Sequence, residues 1–153
     1  MDEWKGLKVW VCSYKQKTEG YLEDWSDIYE VSINGLVRDA KTKELLNQFM
    51  TKKYPYYQVY LIKNGKKYKR LVHRCVATTF PEICGNYFQC AVVNHLDENK
   101  TNNIASNLSW CTYKENINYG TAQERAKKNR KKKKICQNKP ELKIWQIAIL
   151  ENY

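Results

Sequence analysis

Apolar positions recur along this chain in two rhythms, and the change from one to the other marks its organisation. From Trp4 to Trp10 apolar and polar residues interleave as in a strand, whereas residues 13–27 are polar and read as a loop or insertion. Ile28-Tyr29-Glu30-Val31 reads as a strand, Asn34-Gly35 as a tight turn, and Leu36-Val37-Arg38 as the returning strand. A second hairpin is clearer: residues 57–62 are rich in β-formers, Asn64-Gly65 supplies the turn, and residues 66–71 return. Then the period lengthens. Val72, Cys75, Val76 and Thr79/Phe80 recur at helical spacing, Pro81 is expected to end the run, and residues 81–90 are expected to be a loop.

Ala91-Val92-Val93 reads as a short buried strand that delivers Asn94 and His95 at its end. A polar loop rich in asparagine follows over residues 97–107, and Leu108-Ser109-Trp110-Cys111 forms a second strand. Thr112 and Glu115 make a Thr-x-x-Glu capping box, so a helix is expected from Thr112 to about Asn129. That box puts Asn116 on the first helical turn, in a register able to face the strand carrying His95. The order is strand, loop, strand, helix. The expected class is α+β: a small β-rich module over 1–52, a ββα domain over 53–124, and a basic helical tail over 125–153.

Composition changes this picture in one respect. The 153 residues carry 27 Lys+Arg against 16 Asp+Glu, a formal charge of +11, which makes a polyanion the natural partner. Eight of those charges come from the ten residues between Arg125 and Lys134, leaving +3 for the rest. The tail therefore holds most of the nucleic-acid signal, although such a run also serves as a solvated or nuclear-targeting segment. The lysines and Arg70 of the second hairpin suit a ribbon on a phosphate backbone and equally suit an exposed polar face. No stretch approaches the length of a membrane-spanning helix and the N-terminus lacks a signal-peptide pattern, so an intracellular protein with no membrane association is expected. The six cysteines are then expected to be reduced thiols, and none forms the Cys-x-x-Cys pair of a zinc site.

Phosphodiester hydrolysis needs a general base for water, a cation at the scissile phosphate and a group that keeps the base aligned. The ββα unit offers a candidate for each. His95 has the intrinsic pKa of a base, and Asn107 could orient its ring. The side-chain oxygens of Asn94 and Asn116 could hold a divalent ion, and hard oxygen ligands point to Mg2+ or Mn2+ rather than zinc.

The segment Asn94-His95-Leu96-Asp97-Glu98-Asn99-Lys100-Thr101-Asn102-Asn103, with Asn107-Leu108-Ser109-Trp110 and then Asn116, resembles the HNH motif of phage-type and intron-encoded homing endonucleases. Leu71-Val72-His73-Arg74-Cys75-Val76-Ala77 with Phe80 resembles the helix that usually precedes it. Glu3-Trp4-Lys5, Tyr29-Glu30-Val31-Ser32 and Asn34-Gly35-Leu36-Val37-Arg38 are similar to the nuclease-associated modular DNA-binding motif often found ahead of that domain. The resemblance covers roughly residues 3–120 and implies a ββα-metal nuclease acting on double-stranded DNA with Mg2+ or Mn2+. It implies His95 as general base, Asn107 as its orienting residue, and Asn94 and Asn116 as metal ligands.

Two positions depart from the family pattern. Asn94 stands where Asp is frequent, and Glu98 stands where Gly is common in the loop. In place of the helix-turn-helix module that often ends such proteins there is the lysine run. His73 reads either as support for the site or as simple packing. Expected DNA contacts are Arg70, Arg74, Lys100, Lys114, Arg125, Lys127, Lys128 and Arg130, with no obligatory protein partner evident. The rival readings are a decayed DNA-binding protein that keeps the fold without cleavage and, more weakly, an RNA-binding module.

Overall fold

The structure, a computed structural model, describes residues 2–12 and 20–121 and the single positions 124, 127, 128 and 130. The chain divides into two compact units, Met1–Asn116 and Ile117–Tyr153, and the expected site residues of the ββα unit lie in the first.

Short antiparallel pairings build the first unit. Strand β1 (Trp4–Gly6) pairs with β4 (Tyr29–Ser32), and β4 with β5 (Val37–Asp39), in the order β1-β4-β5. β2 (Lys8–Cys12) pairs with β3 (Gly20–Asp24), from Lys8 opposite Asp24 to Cys12 opposite Gly20. The polar segment 13–27 expected as loop thus contains a strand, and residues 13–19 lie outside the described residues. No apolar alternation announces β3, because Tyr21 and Leu22 on it are exposed. Pairing to β2 and the 2.7 Å ion pair from Lys63 to Glu23 hold it instead.

β6 (Gln48–Phe49), β7 (Gln58–Lys63) and β8 (Lys66–Leu71) form the third sheet. The turn between β7 and β8 has both central residues left-handed, Asn64 at φ +51° and Gly65 at +71°, as a two-residue hairpin of this hand requires. On β7 the alternation is kept: Val59 and Leu61 are fully buried while Tyr60 and Ile62 are exposed.

Helix α1 (Val72–Thr79) is the hub of the unit. Seven of its eight residues are buried, all but Arg74, because it packs against β2, β4, β8, β9 and β10 as well as α2. α1 stops at Thr79, ahead of Pro81, as expected, but residues 81–84 are not the loop the pattern predicts, because Pro81 does more than end a run. After a bend at Phe80 it opens α2 (Pro81–Cys84), since proline's fixed φ suits the first helical position. Strands β9 (Val92–His95) and β10 (Leu108–Cys111) pair antiparallel, with a 3-10 turn at Ala105–Asn107 before β10 and helix α3 (Tyr113–Asn118) after it. The expected run to about Asn129 is interrupted: α3 ends at Asn118, and Gly120 turns the chain at φ +53°. Beyond it, positions 124, 127, 128 and 130 of the second unit are helical.

The α+β class expected from the pattern is the one observed. One hydrophobic cluster gathers Leu7, Trp25, Val31 and Val37 with Val59, Val76, Phe80 and Leu108, so the segments 1–52 and 53–124 share a core. Among the described residues no helix is long and apolar enough to cross a membrane, and Cys75, Cys84, Cys90 and Cys111 are free thiols.

Candidate active site

The site grows from the β9–β10 ribbon. Its register sets His95 opposite Leu108 and Asn94 opposite Ser109. Successive strand residues face opposite sides, so Val93 and His95 are buried while Val92 and Asn94 are half-buried. The tight turn after His95 is closed by Glu98 N–H donating to the His95 carbonyl at 3.0 Å. Glu98 sits at φ +60°, a region that only glycine enters without a Cβ penalty.

Asn107 holds the loop together. Its Oδ1 accepts from Asp97 N–H at 3.0 Å, and its Nδ2 donates to Asp97 Oδ1 and to the Asn102 carbonyl, both at 2.9 Å. Asn102 Nδ2 also donates to Asp97 Oδ2 at 2.7 Å. These donors, those of Asn102 first, hold the Asp97 carboxyl below its ordinary value.

The imidazole has a different side-chain partner from the one expected. Asn107 contributes through the loop, and the group in contact with the ring is Asn103, whose Oδ1 lies 3.2 Å from His95 Nε2. Both residues are only 5% exposed, so the bond is shielded from water. An amide oxygen facing the ring is a hydrogen-bond partner for Nε2 only when that nitrogen carries the proton, the tautomer in which Nδ1 keeps the lone pair a base needs. Burial lowers the His95 pKa below its usual 6.5; the Asn103 bond and the charge of Asp97 act against that shift, and Lys100 acts with it.

Two further rings wall the imidazole. His73, on the first turn of α1, meets His95 edge to face at 5.1 Å between centroids. Tyr56 lies 5.1 Å from the His73 ring and 6.0 Å from that of His95. The peptide N–H of Val72, donating to the Tyr57 carbonyl at 3.0 Å, ties the start of α1 to this aromatic segment. His73 is buried with Nδ1 lacking a partner, and burial above all, with the charges of His95 and Arg74, pushes its pKa down to about 3. It is therefore a neutral wall at physiological pH. Nothing in the sequence marked Tyr56, one tyrosine among twelve. Asn103 was visible only as one more asparagine of the loop.

Asn94 and Asn116 are both half-buried, and among the described residues neither side chain is drawn into the loop network around Asp97. They fit a hard divalent ion by the chemistry of their oxygens, though as neutral amides they bind less strongly than carboxylates. Among the described residues no group of three or more His, Cys, Asp or Glu is placed to hold a metal. The capping box that positions Asn116 is formed: Glu115 Oε2 accepts from Thr112 N–H and Oγ1 at 2.8 Å, and Glu115 N–H donates to Thr112 Oγ1 at 3.1 Å.

Cations divide into two sets. Lys5, Arg38, Lys43 and Lys63 are taken up in ion pairs with glutamates. Arg70, Arg74, Lys100 and Lys114 are in no ion pair among the described residues. Lys100 Nζ stands 5.1 Å over the Tyr56 ring, at the edge of the histidine cluster. Arg74 lies beside the Ala91 carbonyl and the Trp110 ring, and Arg70 beside Tyr68. Lys114 is exposed, as are Lys127, Lys128 and Arg130 of the second unit; Arg125 lies outside the described residues.

A buried histidine at the end of the first strand of a β–loop–β–α unit, beside an asparagine-laced loop, is the arrangement of an HNH-type site. The chain's homologues carry that name. An uncharacterized HNH endonuclease of Acanthamoeba polyphaga mimivirus is 42% identical over 106 residues, covering 69% of this chain and 31% of that protein. The DNA endonuclease I-HmuI of Bacillus phage SP01 is 38% identical over 100 residues, covering 61% of this chain and 55% of its own length. A solved structure described as DNA binding and cleavage by the HNH homing endonuclease I-HmuI superposes with TM-score 0.59 at 34% identity, covering 73% of this chain and 63% of that one. This chain thus spans between about a third and two thirds of these relatives. No family model matches it.

Proposed function

We propose that this chain is a metal-dependent DNA endonuclease of the HNH homing type. The observation that carries the reading is His95, shielded at the end of β9 with Nε2 against Asn103, in a ββα unit whose homologues are named HNH endonucleases. His95 Nδ1 takes a proton from the attacking water as its oxygen bonds to phosphorus and the bond from phosphorus to the leaving oxygen breaks. Asn103 keeps the ring in the tautomer that leaves Nδ1 free, and Asn107 with Asp97 holds the loop that carries Asn103. His73 and Tyr56 pack against the ring from the sides and hold its orientation.

Asn94 and Asn116 would hold Mg2+ or Mn2+, which would supply charge neutralisation at the scissile phosphate. Double-stranded DNA is the partner, gripped through its backbone by Arg70, Arg74, Lys100 and Lys114 and by the basic run with Arg125, Lys127, Lys128 and Arg130. A second reading, a catalytically decayed DNA-binding protein, draws on the neutral Asn94 and on the lack of a carboxylate cluster among the described residues. Plasmid nicking separates the two. The protein nicks DNA in magnesium and stops on EDTA, and His95→Ala abolishes cleavage while DNA binding persists. Cleavage by the His95→Ala protein overturns the assignment of the base; binding without cleavage by the wild type selects the second reading.

A further inference from the structure

The turn of the β4–β5 hairpin runs directly against the loop that holds the imidazole. Gly35 lies in this turn at φ +86°, and a Cβ there would stand 2.7 Å from Asn103 Cβ and 2.9 Å from the Asn103 carbonyl oxygen. Real side chains do not approach backbone that closely, so Asn103 rests on the bare backbone of Gly35. Two residues further along, Ala105 N–H donates to the Ile33 carbonyl at 2.8 Å, which pins the two loops beside the contact.

The turn is itself held in place. The hydroxyl of fully buried Ser32 accepts from Asn34 N–H at 3.2 Å and Leu36 N–H at 3.1 Å. At the start of β6, Gln48 Nε2 donates to the Gly35 carbonyl at 2.9 Å. Two hydrogen-bonded anchors, on different elements, therefore fix the surface on which Asn103 sits. A fixed surface matters here because the Asn103 amide reaches His95 at 3.2 Å, and a displacement of the order of an ångström would break that bond.

We propose that Gly35 is a positioning residue for the site: its missing side chain lets the hairpin turn seat Asn103 so that the amide oxygen reaches His95 Nε2. This couples the N-terminal sheet to the ββα unit through one backbone contact. The proposal rests on His95 being the base, but its readout does not need cleavage.

Gly65 provides the control. It shares the left-handed backbone, at φ +71°, and a Cβ there would meet nothing within 4 Å. Alanine at either glycine carries the same kind of backbone cost, and only at Gly35 does it also press on Asn103. The tautomer of His95 is read from the nitrogen chemical shifts of its imidazole in the full-length protein, held at a pH where the ring is neutral. Gly35→Ala lowers the share of ring protonated at Nε2, and its single-turnover cleavage falls on the order of tenfold with DNA affinity unchanged. Gly65→Ala leaves the tautomer as in the wild type.

An unmoved tautomer in folded Gly35→Ala, or the same movement in Gly65→Ala, overturns the proposal. If Gly35→Ala does not fold, Gln48→Met takes its place. It frees the Gly35 carbonyl at similar side-chain volume and moves the tautomer in the same direction by less; no movement there overturns the proposal too. A wild type that never cleaves DNA but whose tautomer responds to Gly35→Ala sinks the nuclease reading alone. An active wild type with an unresponsive tautomer sinks the positioning role alone.

Discussion

The amide oxygen of Asn103 lies 3.2 Å from Nε2 of His95, and each residue is only 5% exposed. In water such a bond exchanges freely; sealed from solvent, it selects one tautomer of the ring. Asn103→Ala is expected to lower cleavage about 10- to 100-fold, as loss of a group that orients a functional histidine does, with DNA affinity unchanged. Asn107→Ala behaves differently, because it removes three bonds that close the loop. Its first effect is on stability, a loss of about 1–3 kcal/mol seen as a lower melting temperature. An Asn103→Ala protein that cleaves as fast as wild type would remove Asn103 from the mechanism.

His73 makes folding stability depend on acid. Its ring titrates near 6.5 when unfolded and only near 3 in the fold, because burial penalises the charged form. Between those values the unfolded chain binds a proton that the native chain refuses, so stability is intact above 6.5 and is lost as pH falls toward 3. The slope from this one group is about 1.4 kcal/mol per pH unit. The lowered pKa of His95 adds in the same sense. Urea midpoints measured at pH 7 and pH 5 should fall accordingly in the wild type and fall less in His73→Phe. Equal slopes in the two proteins would contradict the burial argument.

Glu98 is strained in its loop. At φ +60° its Cβ crowds the following carbonyl, at a cost of about 1–2 kcal/mol. Glu98→Gly should recover only part of that, because glycine also loses more freedom on folding. The expected outcome is a higher melting temperature with the pattern of cleavage products retained. A lower melting temperature would show that the Glu98 side chain contributes more than its backbone costs.

The basic run tests how the chain grips DNA. Deleting residues 125–134 removes eight of the cations, and every phosphate left without its cation lowers the slope of log affinity against log salt by about 0.9. Binding titrations at several salt concentrations should give a flatter line for the deletion. An identical slope would place the run outside the interface.

Much of the fold was legible because it is local. Asn64-Gly65 between alternating segments specified its own hairpin, and Thr112 with Glu115 specified the start of α3, since each acts over a few residues. Where local signals conflict, the pattern misleads. Residues after Pro81 read as loop although proline also opens helices, and the helical pattern after Thr112 runs on past Gly120, where the chain turns. β3 has no apolar period at all, and only its partner strand makes it a strand.

The sequence by itself determined which residue types could do chemistry and that His95 stands where a strand ends, because charge, period and capping are written in neighbouring positions. Only the tertiary structure decided who holds the imidazole. Asn103 rather than Asn107 touches the ring, Tyr56 and His73 wall it, and Gly35 supports Asn103 from another sheet. These partners are separated along the chain, and burial in a shared core brings them together; no period or motif encodes that proximity.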